Sequence, residues 1–243
     1  KKNKQNYNCI FLENQPETIN NQQNPFFENL KTLESNFYFG ANLKSFSFNN
    51  NNQLPDINYQ KNRLGKIGDL KFNFVKNKKE KKDVLRFIVK NKIIQYQKTN
   101  AWNLFKINAY KKFFILCNLK PNINLSYLTL DKNIIAAHSG YIYDQTFYYL
   151  FPTYDLKYKK YSPGKILLHN LIEHCVEKEL SYFDFTIGSE DYKKNWSNNK
   201  IKSCMTLKSL NGLGFVYILF ISIKIYLKSI NTKNNFIKKT FNK

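Results

Sequence analysis

Between Tyr158 and Trp196 the chain reads YKKYSPGKILLHNLIEHCVEKELSYFDFTIGSEDYKKNW, and this stretch constrains the fold more than any other. Ser162 is a good helix N-cap, and Pro163 suits the first helical position, where a missing N–H costs nothing. Gly164 lets a ligand come close to the backbone. A helix that starts this way offers free N–H groups and a positive dipole end, a seat for a phosphate. The helix is predicted from Pro163 to about Lys178. Leu167, Leu168, Leu171, Ile172 and Cys175 fall on one face, and His169, Asn170, Glu173 and Glu177 on the other. A strand follows at once, Ser181 to Ile187, with Phe183, Phe185 and Ile187 alternating against Tyr182, Asp184 and Thr186. A short polar helix rich in Tyr and Lys comes next.

Upstream, the pattern continues to alternate between element types. Asn24-Pro25 reads as a helix start, and Tyr38, Phe39, Phe46 and Phe48 read as strand residues, with a loop over Asn49–Asn52. LKFNFV at Leu70–Val75 alternates as a strand does. The charged run from Lys76 to Asp83 reads as a solvated loop leading into a helix whose inner positions include Phe87, Ile88, Asn91, Ile94 and Gln95, with Lys90 and Lys92 outward. Asn100–Phe114 reads as a further helix carrying Trp102. Three runs, Ile123–Leu130, Ile134–Tyr143 and Thr146–Phe151, are separated by the turns Asp131-Lys132-Asn133 and Asp144-Gln145 and make an antiparallel meander. Meander, helix, strand, helix implies a mixed α/β layer.

The formal net charge of +22 would ordinarily point to nucleic acid. Only two arginines occur, Arg63 and Arg86, and Lys, Asn, Ile, Tyr and Phe all have A/T-rich codons, so genome bias explains the charge as well as a polyanion does. Cys9, Cys117, Cys175 and Cys204 are far apart with no CxxC pair, so neither a metal site nor a disulfide framework is indicated, and a reducing, cytoplasmic setting is expected. GLGFVYILFISIKIYL at Gly212–Leu227 is the most apolar segment; it is interrupted by Lys224 and reads as a docking element, with membrane association at its surface through 212–230 as the other reading.

The residues Tyr161-Ser162-Pro163-Gly164, Phe183-Asp184-Phe185, Gly188, Tyr192-Lys193 and Trp196 resemble the GNAT-like acetyltransferases associated with cellulose biosynthesis, a group related to the Fem-type peptidyltransferases. The match is strong over 123–197 and weaker from Lys61. The resemblance implies a GNAT-type acyl-CoA N-acyltransferase fold, α/β, with a mixed, mainly antiparallel sheet flanked by helices. It implies an acyltransferase domain at 60–198, a partial GNAT-like or packing region at 1–59, and a basic, partly apolar extension at 199–243. It implies transfer of an acetyl or other acyl group from acetyl-CoA, as co-substrate and without a metal, to an amine or hydroxyl of a cell-envelope, glycan or peptidoglycan precursor. The alternatives are a Fem-type transferase using charged tRNA, the one reading with a nucleic-acid partner, and a GNAT-fold binding module without catalysis. The usual phosphate motif is only partly kept, because Tyr161 and Ile166 stand where Arg or Gln and Gly or Ala are customary.

Within that frame the cofactor-binding candidates are Tyr161, Ser162, Gly164, Lys165 and Lys160; an ordinary capped helix start is the plainer reading. Tyr192 is the candidate acid for the departing thiolate, since a phenol of pKa ~10 can protonate a thiolate of pKa ~8.5 or above; structural packing is its alternative. Asp184 is a candidate base or an ion-pair partner of Lys193. His138, between the small residues Ala136 and Gly140, is a candidate base or a structural histidine. Backbone N–H groups near Leu150–Thr153 are candidate oxyanion donors, with a strand interruption expected at Pro152.

Overall fold

The computed structural model describes residues 7–19, 22–29, 32–48, 54–188 and 190–241. In chain order these form β1 (Cys9–Pro16), β2 (Thr18–Ile19), β3 (Gln22–Gln23), α1 (Pro25–Asn29), β4 (Thr32–Asn42), α2 (Leu54–Gly65), β5 (Leu70–Phe74), α3 (Lys78–Thr99) and α4 (Asn108–Asn118). Then come β6 (Ile123–Leu130), β7 (Asn133–Tyr143), β8 (Thr146–Tyr149), β9 (Thr153–Tyr154), α5 (Pro163–Glu177), β10 (Tyr182–Ile187), α6 (Asp191–Trp196), β11 (Asn199–Ser209) and α7 (Gly212–Phe241). Two compact units result: Tyr38–Lys200, and Lys1–Phe37 with Ile201–Lys243.

In the first unit the strands lie in the order β4, β10, β8, β7, β6, β5, and β9 pairs with β7. The meander β6–β7–β8 is antiparallel, as its two short turns require, and Asp131, Asp144 and Gln145 in those turns take positive φ. β10 joins parallel to β8, after the crossover through α5, and antiparallel to β4. The result is a mixed, mainly antiparallel sheet. Helices cover it: α3, α4 and the 3-10 turn Leu104–Lys106 between them bring Val84, Leu85, Ile88, Val89, Phe114 and Phe105 onto Leu125 and Ala137, while α5 buries Ile166, Leu167, Leu171 and Ile172 and packs on β6, β7 and α2. With both faces covered, β7 is buried without a break from Ile135 to Gly140, His138 and Ser139 included.

Several elements differ from the sequence expectation. The charged run is already helix: Asn77 accepts the Glu80 N–H at 2.9 Å, and the Glu80 carboxylate accepts from the Lys76 N–H and the Asn77 amide, a capping box that starts α3 at Lys78. Asn100 closes α3 in the left-handed region, so Trp102 sits in a loop, 66% exposed, before a 3-10 turn at Leu104–Lys106 and the later start of α4. Phe46 and Phe48 are not strand residues; Phe46 caps a 3-10 turn and stacks on Trp196, and Phe48 packs on His169. The loop expected over 49–52 lies outside the described residues.

In the second unit β1 runs antiparallel to β11, from Cys9 opposite Ser209 to Pro16 opposite Ser203. Asn24 caps α1, accepting the Phe26 N–H at 3.1 Å. Asn211 caps α7 through the Gly214 N–H, and the Asn8 carbonyl approaches Gly214 so closely that a Cβ there would lie 1.7 Å from it. Leu213, Phe215, Val216, Phe220 and Tyr226 of α7 are exposed. Among the described residues no helix is long and apolar enough to cross a membrane.

Candidate active site

The parallel ladder between β8 and β10 ends at Tyr148 opposite Asp184. Beyond it β8 stops, Pro152 falls in the gap before β9, and β10 leaves its register with β4 between Asp184 and Ile187. Asp184 holds that departure: its Oδ1 accepts the Thr186 N–H at 2.6 Å while Thr186 takes a φ of 61°. Gly188 follows with φ 132°, where a Cβ would lie 2.2 Å from the Glu190 carboxylate. The diverging strands open a cavity of about 380 Å³, a size ordinary for a small-molecule site.

Four elements line it. β8–β9 and their linker give Tyr149, Leu150, Thr153 and Tyr154; the start of α5 gives Gly164 and Lys165; β10 gives Phe185 and Thr186; α6 gives Tyr192 and Lys193. A fifth contribution comes from α3 through Lys92 and Gln95. Gly164 lies against the wall, where a Cβ would stand 3.3 Å from the Tyr154 ring.

The cations in this cavity are not equivalent. Lys165 pairs with Asp56 at 2.9 Å, which holds that carboxyl below its ordinary pKa. Lys193 is buried, pairs with Glu190 at 3.0 Å and donates to the Ile187 carbonyl at 2.6 Å. Lys92 has no salt-bridge partner among the described residues, and burial lowers it to about 8, with Glu190 opposing that shift and Lys193 adding to it. Two buried polar atoms on the same lining, Gln95 Oε1 and Thr153 Oγ1, have no hydrogen-bond partner among the described residues. Such groups are uncommon in interiors and are what a ligand would satisfy.

The sequence candidates divide by position. Tyr192, Gly164 and Lys165 line the cavity. Burial, with Glu190, pushes the Tyr192 phenol up, so it keeps its proton well above neutral pH. Ser162 stands at the N-cap position in the left-handed region, with no side-chain capping bond; its N–H goes to Lys159 O, and its own carbonyl takes the Lys165 and Ile166 N–H groups. The free amides expected of this turn are therefore reduced, since the Ser162, Lys165 and Ile166 N–H groups are taken, while Gly164 lies on the cavity lining. Tyr161 and Lys160 belong to the preceding 3-10 turn, Leu156–Tyr161. Arg63 lies 4.8 Å over the Tyr161 ring and donates to the Lys160 carbonyl at 3.1 Å, fixing the turn from α2.

Asp184 is beside the cavity rather than on its lining, and it caps β10 instead of bonding to Lys193. Burial raises its pKa, with the Thr186 N–H and Lys193 opposing. His138 is not brought to the cavity: it is fully buried, stacked 4.4 Å from the Tyr149 ring and 5.6 Å from Phe147. Its own ring fills the room beside Gly140, where a Cβ would lie 2.5 Å from it. Burial, with Lys92, lowers it to about 3, so it is neutral at physiological pH. His169, read as a polar-face residue, is also buried; its Nδ1 contacts Glu173 at 2.9 Å, under Phe48 and Trp196.

The pattern of the acetyltransferase (GNAT) domain matches residues 51–194, more than half of the chain. The chain belongs to the GNAT acetyltransferase family. Solved structures share the fold at low identity. The C-terminal domain named as that of a lysylphosphatidylglycerol synthetase from Agrobacterium fabrum is 12% identical, with a TM-score of 0.59 over 86% of this chain and 70% of that one. L-PGS from Bacillus licheniformis is 10% identical, with a TM-score of 0.56 over 80% and 67%. A protein of unknown function from Bacteroides thetaiotaomicron is 12% identical, with a TM-score of 0.53 over 84% and 64%. No curated protein gives a match. The GNAT assignment agrees with a cavity opened where parallel strands diverge beside a helix N-terminus.

Sequence reasoning missed Lys92, Gln95 and Lys193 as cavity residues. A cavity accepts polar side chains as solvent does, so Lys92 looked outward-facing on a helical wheel. Arg63 carried a signal that could have been read: one of two arginines in a lysine-rich chain.

Proposed function

We propose that this GNAT domain transfers an acyl group from a coenzyme A thioester to an amine or hydroxyl acceptor. The observation that carries the reading is one cavity shared by the Gly164 turn, Tyr192 and Lys92. The features that support the co-substrate are Gly164, which puts no side chain on the lining at the start of α5, and the positive charge of Lys160 in the preceding turn and of Lys165, shared with Asp56.

Tyr192 holds its proton at neutral pH and delivers it to the departing sulfur. Lys92, being partly uncharged near neutral pH, takes a proton from the acceptor's ammonium group, which frees the amine lone pair to attack the thioester carbonyl. The unpartnered Gln95 carbonyl oxygen accepts from that same ammonium, and the unpartnered Thr153 hydroxyl is a second polar contact for the substrate on the same lining. Lys193, held by Glu190 and the Ile187 carbonyl, keeps positive charge at the cavity wall where negative charge develops. Asp184 positions the diverging strand; His138 supports Tyr149 from behind.

The resemblance to acetyltransferases associated with cellulose biosynthesis favours a cell-envelope or polysaccharide precursor as acceptor, handled on the cytoplasmic side. The exposed apolar residues of α7, with Lys224 among them, favour contact of 212–230 with a membrane surface. A second reading, aminoacyl transfer from charged tRNA, draws on the +22 charge and on fold neighbours named as a lysylphosphatidylglycerol synthetase and L-PGS. Incubation with acetyl-CoA and candidate amines, watching for free thiol, tests the first reading. Thiol release that depends on Lys92 and Tyr192 supports it. Absence of thiol, together with tRNA binding that weakens steeply with salt, transfers support to the second.

A further inference from the structure

α3 has a second face that acyl transfer does not use. Between α3 and α4 runs an open groove of about 1020 Å³. Its floor is aliphatic: Leu85, Val89 and Ile93 at four-residue spacing on α3, with Ile115 on α4 and Leu119 at its C-cap. Beside that floor runs a row of cations, Lys78, Lys82, Arg86 and Lys90, again four residues apart, with Lys111 across the groove. The row extends ~18 Å along the helix axis. The acids in this stretch are engaged, Glu80 in the capping box and Asp83 with Arg86 at 3.6 Å. The groove thus joins an apolar stripe to an excess of positive charge along its whole length.

That distribution selects among occupants. A phospholipid carries its charge at one end only. Single-stranded nucleic acid uses aromatic platforms for stacking, and none of the described residues lining this groove is aromatic. A second copy of this chain would bring a net charge of +22 of its own. An amphipathic helix with an aliphatic stripe flanked by carboxylates has both of the required periodicities.

We propose that the α3–α4 groove is a docking site for an acidic amphipathic helix of a partner protein. Aliphatic side chains of that helix enter between the Leu85–Val89–Ile93 row and Ile115–Leu119, and its carboxylates meet the cation row. The inference stands independently of the transfer reading, although α3 carries both this groove and Lys92.

The test uses the full chain and a fluorescein-labelled synthetic helix of about 18 residues, long enough to span the groove, with leucines on one face and glutamates beside them. A scrambled peptide of the same composition, bulk tRNA and phosphatidylglycerol vesicles are the comparison probes. Fluorescence anisotropy is expected to show saturable binding, at least about tenfold tighter than for the scrambled peptide, or ~1.4 kcal/mol. Lys82→Glu with Lys90→Glu, and separately Leu119→Asp, are each expected to weaken it about tenfold. These positions are exposed, and an unchanged circular dichroism spectrum checks the fold. Equal binding of the scrambled peptide, no binding of either peptide, unaltered affinity in both variants, or variant-sensitive binding of tRNA or vesicles instead of peptide would each overturn the proposal.

Discussion

Lys92 and His138 are both titratable groups displaced by burial, and the consequences differ because one lines a cavity and the other fills a core. For Lys92 the uncharged form grows as pH rises through about 8. The rate kcat/KM is therefore expected to climb with pH to that value and then level off. Lys92→Met should lose the climb and about 10²-fold in rate, the low end for a proton-transfer group; a wild-type climb that survives in the variant would remove Lys92 from the chemistry. Tyr192→Phe should lower kcat by about 10²-fold with little change in KM, read from thiol release, and a loss under about twofold would leave Tyr192 with packing alone. For His138 the sign is opposite to that of a paired histidine. Its folded pKa lies below the unfolded value, so its contribution is complete above about 6.5 and falls away as pH drops toward about 3. Each pH unit in that window removes ~1.4 kcal/mol. Urea midpoints measured from pH 7 to pH 4 should fall less steeply in His138→Gln; parallel slopes would refute the assignment. At this scale the places of Tyr192 and Gly164 on the cavity lining were legible, because one follows a strand and the other opens a helix. His138 and His169 were not, since one-dimensional periodicity does not show what covers a residue from another element.

At the scale of elements, tight turns located the meander, the Ser162-Pro163 start located α5, and alternation located β10, whose Phe183 and Phe185 are buried between half-buried neighbours. The errors fell where asparagine changed the backbone. Asn77 with Glu80 starts α3 inside what composition alone makes a loop, and Asn100 ends it in the left-handed region. Asn103 then caps a 3-10 turn, delaying α4. Asn77→Ala should destabilise the protein by ~1 kcal/mol through the lost N-cap, measured as a lower urea midpoint at unchanged m-value. No change would mean that the Glu80 half of the capping box suffices to start α3. The divergence of β8 and β10 was foreseeable from Pro152, yet its hold on the other side, Asp184 on the Thr186 N–H, needed three dimensions.

At the scale of the molecule, the unit Tyr38–Lys200 contains every residue assigned to acyl transfer, and the sheet serves that assignment by letting β8 and β10 diverge beside the start of α5. The fold class was readable because its motifs are contiguous in sequence; the cavity was not, because α3 enters it from about 60 residues upstream of α5. The most direct check is thermal unfolding of the wild type and Gly164→Val with and without acetyl-CoA. At about 100 times Kd the ligand should stabilise the wild type by ~2.7 kcal/mol and leave Gly164→Val, whose added side chain meets Tyr154, unshifted. An unshifted wild type, or an equal shift in the variant, would contradict a thioester seat in this cavity.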